Sequence, residues 1–378
     1  MPGSNLIGES QSDFLNLARW IAAGLVVVEH ARNLIFVDFG SLESSTPLQK
    51  AFYFLTGFGH ESVVVFFVIS GFLVGGKAWS LWKQDCFDWK RYLADRISRL
   101  YAVLLVALLL GGLVDWIGSN YFNDFGFYSN ETTEDVAVVS DSFIERLSIH
   151  HFFGNLLMLQ DIQISTFGSN GPLWSLAHEW WYYLLFPAVL FVIRGSWAMR
   201  ISSATLLGML GWFLTPYILI LFGVWLIGVV AWLFNSKSML PWWASIFPFA
   251  AAMAVMRLEI YLFPFSQQFL VGITFALLLN SFAQKTKPIP GSKTSRWIAD
   301  FSYSLYLFHF PVLLLAIAVC FSRWERASRM QFELSSVLLF LAVVALTFAA
   351  SYLVSLVTEA KTPQIRKLLY GWFGVVAS

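Results

Sequence analysis

The sequence is poor in charge. Only 12% of its 378 residues are Asp, Glu, Lys or Arg, whereas soluble domains average about 25%. This deficit excludes an ordinary water-soluble globule. Cysteine is also scarce, and the two cysteines, Cys86 and Cys320, are predicted on opposite faces of a membrane, which argues against a disulfide framework. The formal net charge of +1 favours no nucleic acid partner, and we find no dinucleotide-binding glycine pattern, P-loop or metal-ligand spacing.

Long apolar runs are abundant. Mean hydropathy is +0.67, and apolar runs near the roughly 20 residues that a membrane-spanning helix needs recur along the chain. The sequence therefore predicts an all-α fold, a polytopic membrane helical bundle of about ten transmembrane helices. The predicted spans are 13–36, 52–76, 98–118, 172–193, 200–214, 217–235, 241–256, 260–281, 298–320 and 334–357.

Basic residues set the predicted orientation. Most of the 24 Lys and Arg residues fall on the cytoplasmic side if the N-terminus is cytoplasmic, and both termini are then cytoplasmic. We predict a cytoplasmic N-terminal segment over 1–12, a transmembrane domain over 13–357 and a cytoplasmic tail over 358–378. The acidic segment 119–171 is predicted to be an extracytoplasmic loop, and its part 143–160 an amphipathic helix at the interface.

The first apolar run carries two polar residues that need an explanation, Arg19 and His30. Their separation corresponds to about 1100° of helix rotation, roughly 20° from whole turns, so they share one face about 16 Å apart along the axis. A charged group near the middle of a membrane helix costs at least about 2.5–3.5 kcal/mol. We therefore predict a hydrated polar cavity with His30 as the base, the alternative being a buried histidine with satisfied hydrogen bonds.

Glu179 lies about eight residues into the fourth span, at a depth similar to that of His30. A carboxylate there could orient the imidazole and stabilise its protonated form. It could equally hold Arg19 or Arg32 in a purely architectural role. Ser70 and Gly71, in the second span, are read as a close helix–helix packing site.

Two further polar groups are candidates. Arg96 and Arg99 share a helix face at the start of the third span, where two guanidiniums suit an anionic ligand or serve as a cytoplasmic anchor. The ninth span places hydroxyls and an imidazole in the membrane, either to line a cavity or to form hydrogen bonds between helices. Its polar residues are Tyr303, Ser304, Tyr306 and His309.

These landmarks, in this order, resemble the acyltransferase-3 family of integral membrane acyltransferases. The matching stretches are FLNLARWIAAGLVVVEHARN, FFVISGFLVGG, RISRLY, NLLMLQ, GPLWSLAHEWWYYLLFP and FSYSLYLFHFPV. The resemblance implies a ten-helix domain with a cytoplasmic N-terminus that takes acyl groups, usually acetyl, from acyl-coenzyme A. Acceptors in the family are bacterial surface glycans and other extracytoplasmic molecules.

Carried over by position, the resemblance implies that His30 is the catalytic histidine, with Glu179 and Arg19 beside it, and that Arg96 and Arg99 handle the donor. The WSLxxE and SYSLYLxH stretches supply the predicted substrate-binding residues, Trp174, Ser175, Tyr303 and His309. The chain departs from the family at Asn16, where an acidic residue is usual three positions before the arginine, and at the apolar run 63–65. The carboxylate network around Arg19 is therefore expected to differ.

The resemblance thus implies an O-acetyltransferase of a bacterial inner (cytoplasmic) membrane. It would move an acetyl group from cytoplasmic acetyl-CoA, without a metal, to a hydroxyl of an extracytoplasmic glycan or another hydroxyl-bearing acceptor. His30 would act as general base or as the acyl-accepting residue, and membrane lipid would surround the bundle. The alternatives are a transporter or flippase that passes a glycan or a lipid-linked sugar through the same cavity, and a non-catalytic scaffold.

Overall fold

The chain is seen in a computed structural model that describes residues 7–43, 45–124, 126–128, 145–235, 240–260, 263–283, 285, 287–325 and 329–375. Over these residues the secondary structure is helical, and β-structure is limited to two isolated bridges. The all-α prediction is therefore confirmed.

Fifteen α-helices follow one another in the described residues. They are α1 (Glu9–Ile35), α2 (Pro47–Leu55), α3 (Gly59–Ser70), α4 (Gly76–Lys83), α5 (Trp89–Tyr121), α6 (Ile149–Leu156), α7 (Leu173–Ile193), α8 (Trp197–Phe213), α9 (Pro216–Leu233), α10 (Trp242–Arg257), α11 (Ser266–Asn280), α12 (Ser292–Ala299), α13 (Ser302–Arg323), α14 (Leu334–Ser355) and α15 (Thr362–Phe373). A π-helical segment, Gly71–Gly75, joins α3 to α4.

Local chemistry explains several helix starts. Thr46 and Gln49 form a reciprocal capping box at the start of α2, and Pro47 occupies a first-turn position that needs no N–H donor. The Ser148 and Ser196 side chains accept backbone N–H groups in the first turns of α6 and α8.

Each of the predicted apolar runs coincides with a described helix, but their lengths differ. Among the described residues, seven stretches are long and apolar enough to cross a membrane: Glu9–Ile35, Pro47–Lys83, Trp89–Tyr121, Leu173–Ile193, Pro216–Leu233, Ser302–Arg323 and Leu334–Phe373. Helices α8, α10 and α11 have 17, 16 and 15 residues, which is short of the roughly 20 that a span needs. The chain is an integral membrane protein, while the count of about ten spans and the cytoplasmic termini stay predictions.

The helices fall into two compact units. The first comprises 1–22, 60–92 and 178–299. Within it the π-helical segment packs against α9 at van der Waals limits. A Cβ added at Gly71 would lie 1.9 Å from the Trp225 carbonyl oxygen, and one added at Gly228 would lie 2.1 Å from the Val68 carbonyl oxygen. The predicted close packing at Ser70 and Gly71 is therefore confirmed.

The second unit comprises 23–59, 93–177 and 300–378. In it α13 packs along α14. The end of α1 is tied to the segment before α14, because Val37 N–H donates to Met330 O at 3.0 Å and Met330 N–H donates to Ile35 O at 2.7 Å. Two bonds of 3.0 Å between the Arg329 guanidinium and the Asp38 carboxylate reinforce this connection. These bonds anchor the end of the helix that carries His30.

Part of the predicted interfacial helix is present as α6. Its side chains Ile149 and Phe153, together with the C-cap residue Leu157, follow one face and are 75%, 52% and 61% exposed, as expected for an apolar face turned to lipid. Burial, and then the charges of His150 and Arg146, lowers the pKa of the His151 imidazole in this helix. Residues 143 and 144 of the predicted helix lie outside the described residues.

Candidate active site

Helix α13 contains a proline. The backbone carbonyl that this proline leaves without a helical donor accepts a hydrogen bond from a side chain instead. Pro311 has no N–H to donate to the carbonyl of Leu307, four residues earlier. The buried side chain of Asn170 donates to that carbonyl instead, with an Nδ2–O distance of 2.8 Å. The loop before α7 is thereby attached to α13 two residues before His309.

His309 is fully buried on α13, and its Nδ1 atom faces the helix backbone. It lies 2.8 Å from the Tyr306 carbonyl oxygen and 3.2 Å from the Leu305 carbonyl oxygen. A carbonyl oxygen can only accept, so His309 Nδ1 carries the proton. In the neutral ring Nε2 then holds a lone pair.

His30 on α1 forms a hydrogen bond with the Nε2 atom of His309. Its Nδ1 atom lies 2.8 Å from His309 Nε2, and the two rings are nearly parallel, at 6° with centroids 5.1 Å apart. The edge of Phe310 closes one side of His30 at 5.2 Å and 86°. With both rings neutral, His30 Nδ1 must be the donor, so the second nitrogen of His30, Nε2, keeps a free lone pair.

A second hydrogen-bonded pair adjoins the imidazoles. Ser175 Oγ lies 2.7 Å from the Tyr306 hydroxyl oxygen, a hydrogen bond in which either hydroxyl can donate, and 3.2 Å from the Pro172 carbonyl oxygen. The Tyr306 ring centroid lies 6.0 Å from that of His309. Predicted substrate-binding residues Ser175 and His309 are thus linked through Tyr306, which the sequence analysis did not select as a site residue.

The loop that leads into α7 is held by buried polar groups. Asp115 on α5 is 1% exposed and accepts from the Ser169 backbone N–H at 2.9 Å and from the Ser169 hydroxyl at 2.7 Å. Gly168 has φ +58, and a Cβ there would lie 2.3 Å from Asp115 Oδ2, so only glycine fits. This loop positions Asn170 and Ser175.

The charged neighbours of His30 on α1 have partners of their own. Arg32 is buried and donates to the Tyr53 carbonyl at 3.0 Å and to the Asn33 side-chain oxygen. The Glu29 carboxylate accepts the backbone N–H of Gly59. These bonds fix the last turns of α1 around the imidazole.

Glu179 takes part in a hydrogen-bond chain in the first unit. The Tyr183 hydroxyl donates to the Glu179 carboxylate and accepts from the Ser70 hydroxyl at 3.3 Å. Trp225 Nε1–H donates to Ser70 Oγ at 3.0 Å. Ser70 therefore does more than permit close packing. The predicted support of His30 by Glu179 stays a prediction.

The other predicted residues are described individually. Arg19 is partly exposed on α1, and Arg96 and Arg99 are partly exposed on α5. Trp174 on α7 and Tyr303 on α13 are partly exposed as well. Arg19 and Glu179 belong to the first unit, and the remaining predicted site residues belong to the second. Their roles in binding donor or acceptor stay predictions. In the described part of the chain, no three His, Cys, Asp or Glu side chains group as a metal site.

Tyr306 and Asn170 were not among the predicted site residues, whereas His309 was predicted as a substrate-binding residue. His309 was expected to line a cavity or bond between helices, but its role as partner of His30 was not foreseen. Tyr306 precedes it by three residues, so the two share a helix face, and that spacing could have suggested a joint role. The sequence signal for Asn170 was weaker. Pro311 leaves the Leu307 carbonyl without its helical donor, which indicates only that some other group donates to it.

These features define a helical membrane protein with a paired-imidazole site. Residues 12–356 match the model of the acyltransferase-3 family, which is described as an acyltransferase domain. The chain therefore belongs to the acyltransferase-3 family. It is also similar to an uncharacterized protein of Haemophilus influenzae, with 30% identity over 131 residues, which is 33% of this chain and 47% of that protein. The chain thus spans about half the length of this curated relative. No solved structure matches it.

Proposed function

We propose that the protein is an O-acetyltransferase that moves the acetyl group of cytoplasmic acetyl-CoA to a hydroxyl of an extracytoplasmic glycan. The observation that carries the proposal is the hydrogen bond between His30 Nδ1 and His309 Nε2. It supports a base at His30 Nε2, because the proton of the neutral His30 ring lies on Nδ1, where it is donated to His309. Family membership supports the acyl-transfer chemistry.

The proposed reaction is a general-base acyl transfer. His30 Nε2 removes the proton of the acceptor hydroxyl while the hydroxyl oxygen bonds to the acetyl carbonyl carbon. The carbon–sulfur bond of the thioester breaks, and its electron pair leaves on sulfur. His30 then returns the proton to the thiolate, so that free CoA thiol and an acetyl ester are formed. Base catalysis of this kind is typically worth about 10²–10⁴-fold.

His309 would act as the orienting partner in this cycle. When His30 gains its second proton, Nδ1–H donates from a cation, and such charge-assisted bonds are roughly twice as strong as neutral ones. The third group of a catalytic triad stabilises an imidazolium in the same way. The same His30 lone pair could instead accept the acetyl group, as an acyl-enzyme route requires.

The remaining predicted residues receive roles that follow from their chemistry. Arg96 and Arg99 would bind the donor phosphates, because guanidinium groups bind phosphate oxygens bidentately. Ser175 and Tyr306 would contact the acceptor with Trp174 and Tyr303, and Glu179 and Arg19 would support the site. The bacterial inner membrane is the expected location, since acetyl-CoA is cytoplasmic and the acceptor is extracytoplasmic.

The test is thiol release from acetyl-CoA by the purified protein in the presence of candidate glycans, with the acetylated glycan identified by mass. We expect His30→Ala to lower turnover by at least about 100-fold, the lower range of base catalysis. His150→Ala is the matched control because His150 is exposed on α6, and it should retain wild-type turnover. Near-wild-type transfer by His30→Ala would refute the assignment of the base.

The same assay separates the enzyme from a transporter. A transporter or flippase would move the glycan across proteoliposomes without consuming acetyl-CoA, and it would not require a base at His30. Glycan movement without thiol release would therefore replace the acetyltransferase proposal. A mass comparison of surface glycans from wild-type and deletion strains would identify the acceptor through an acetyl-sized difference.

A further inference from the structure

The first unit contains an apolar groove that the proposed chemistry does not use. Its volume is about 590 Å³, within the range of about 300–1,000 Å³ that is usual for ligand pockets. Its apolar walls come from α1, α10 and α11 and the turn after α11 and include Phe14, Leu17, Ile246, Leu278 and Phe282. Phe14 and Phe282 stack at 4.3 Å and 9° and form one wall.

The mouth of the groove is cationic and aromatic. Lys285 and Lys287 line it together with Trp242. The Lys285 Nζ atom lies 4.4 Å from the centroid of the Trp242 ring and 5.2 Å from that of Phe282, so the ammonium group sits directly over the apolar lining. Lys287 is exposed. Tryptophan and lysine together are typical of the membrane–water boundary.

A carboxylate that contacts the same segment, Asp13, has polar partners other than these two lysines. Asp13 is buried, and its Oδ2 atom accepts the Ile289 backbone N–H at 3.2 Å. Its Oδ1 atom lies 3.5 Å from the Arg296 guanidinium. The Asp13 charge is thus balanced by Arg296, and Asp13 holds the segment that carries the lysines against α1.

The groove opens beside a surface suited to lipid. Trp243 and Phe247, on the α10 helix that forms one wall, are 58% and 69% exposed, and Ile246 in the wall itself is 42% exposed. In an integral membrane protein, large exposed aromatic and aliphatic side chains of this kind favour contact with lipid. A ligand entering here would come from the bilayer and would have an aliphatic part.

From this arrangement we propose that the groove binds an anionic phospholipid. One acyl chain lies along Leu17, Ile246 and Leu278, and the headgroup phosphate lies between Lys285 and Lys287. The apolar lining selects an aliphatic chain, and the two ammonium groups select an anionic headgroup over a zwitterionic one. The proposal uses only residues of the first unit and does not depend on the acetyltransferase chemistry.

The test is native mass spectrometry of the detergent-purified full chain titrated with dioleoyl phosphatidylglycerol or dioleoyl phosphatidylcholine. We expect one phosphatidylglycerol to be retained more tightly than phosphatidylcholine. An anionic lipid surface is worth about fivefold in affinity for each lysine, so Lys285→Gln with Lys287→Gln should weaken phosphatidylglycerol binding by about 30-fold. Lys83→Gln with Lys293→Gln, an equal change of charge at exposed positions, should leave it unchanged.

A second variant tests the apolar part. Ile246→Trp fills the groove from a partly exposed position, so it should weaken both lipids while the thermal unfolding midpoint stays at the wild-type value. Equal affinities of the wild type for the two lipids would overturn the proposal. So would wild-type binding by the double lysine variant, or competition by glycerol phosphate as effective as that by the intact phospholipid.

Discussion

His309 determines which ring nitrogen of His30 carries the proton, and the pair contains no carboxylate. Its own proton is fixed on Nδ1 by the Tyr306 carbonyl, and its Nε2 atom holds His30 at 2.8 Å. The orientation of the proposed base therefore depends on the backbone of one α13 turn. A substitution at His309 should affect the rate of the chemical step more than substrate binding.

We expect His309→Ala to lower kcat by about 10–10³-fold with little change in KM, a part of the 10²–10⁴-fold that base catalysis supplies. His309→Gln should restore some of the loss, because its amide oxygen can accept from His30 Nδ1. Steady-state kinetics with purified variants measure both constants. A rise in KM at unchanged kcat would instead assign His309 to acceptor binding.

The tautomer can be observed directly. ¹⁵N resonances of histidine-labelled protein distinguish a protonated ring nitrogen from one with a lone pair. In the wild type we expect His30 to carry its proton on Nδ1, and in His309→Ala we expect a mixture of both tautomers. A wild-type His30 protonated on Nε2 would contradict the proposed mechanism.

For single residues, the sequence predicted the candidate base, His30, but not that His309 is its partner. His30 was recognisable because an imidazole in an apolar run needs a reason to be there. His309 lies 279 positions further along the chain, and the periodicity of a single helix does not report which other helix meets it. Nothing in the local pattern distinguished His309, as partner of His30, from the neighbouring hydroxyls of the same run.

The elements were easier to predict than their contacts. Apolar runs gave the long helices because a membrane span leaves its backbone no partner other than itself. The π-helical segment Gly71–Gly75 was not predicted. It depends on the backbone of α9, which approaches Gly71 at Trp225 and Gly228. These residues lie far from Gly71 in the sequence, so the local pattern around Gly71 does not reveal the contact.

The approach of the π-helical segment to α9 can be tested with one methyl group. Gly71→Ala would place its Cβ against the Trp225 carbonyl, so we expect a loss of about 1–3 kcal/mol, as for other overpacked sites. Gly208→Ala is the control, because no atom lies within 4 Å of its added Cβ and alanine favours a helix by about 1 kcal/mol. Thermal unfolding in detergent should therefore shift down for the first variant and not for the second.

The Asn170 bond to α13 calls for a double-mutant cycle. Asn170→Ala leaves the Leu307 carbonyl without this donor, which should cost about 1–3 kcal/mol of stability. In a Pro311→Ala background, residue 311 regains an N–H for the same carbonyl, so the loss should shrink. Asn120→Ala, at an exposed site, is the control for the thermal unfolding measurements. Additive losses at Asn170 and Pro311 would show that the two residues do not share this carbonyl.

For the whole molecule, the number of membrane crossings decides where the chain ends lie. An even count, such as the predicted ten, puts residues 1 and 378 on the same side, whereas the seven long spans alone would put them on opposite sides. We expect a fluorescent-protein fusion to be active, and an alkaline phosphatase fusion inactive, at both ends in a bacterial host. Opposite results at the two ends would show that an odd number of helices crosses the membrane.

Hydropathy could not settle this count. Helices α8, α10 and α11 are apolar but only 15–17 residues long, about 22–26 Å at 1.5 Å per residue. The hydrocarbon core is about 30 Å thick. Whether such helices cross depends on local thinning of the bilayer and on neighbouring helices, which a window of sequence does not contain.

A couple made of two imidazoles has a consequence for biogenesis. The histidine–carboxylate couples of many hydrolases carry a formal ion from the moment the polypeptide folds. A couple of two neutral imidazoles carries no formal charge, so α1 and α13 would enter hydrocarbon without the cost of transferring an ion at this point. In the proposed mechanism, positive charge would reside on the couple only while the acceptor proton is being transferred, so the membrane protein would hold a buried cation for only a fraction of each turnover.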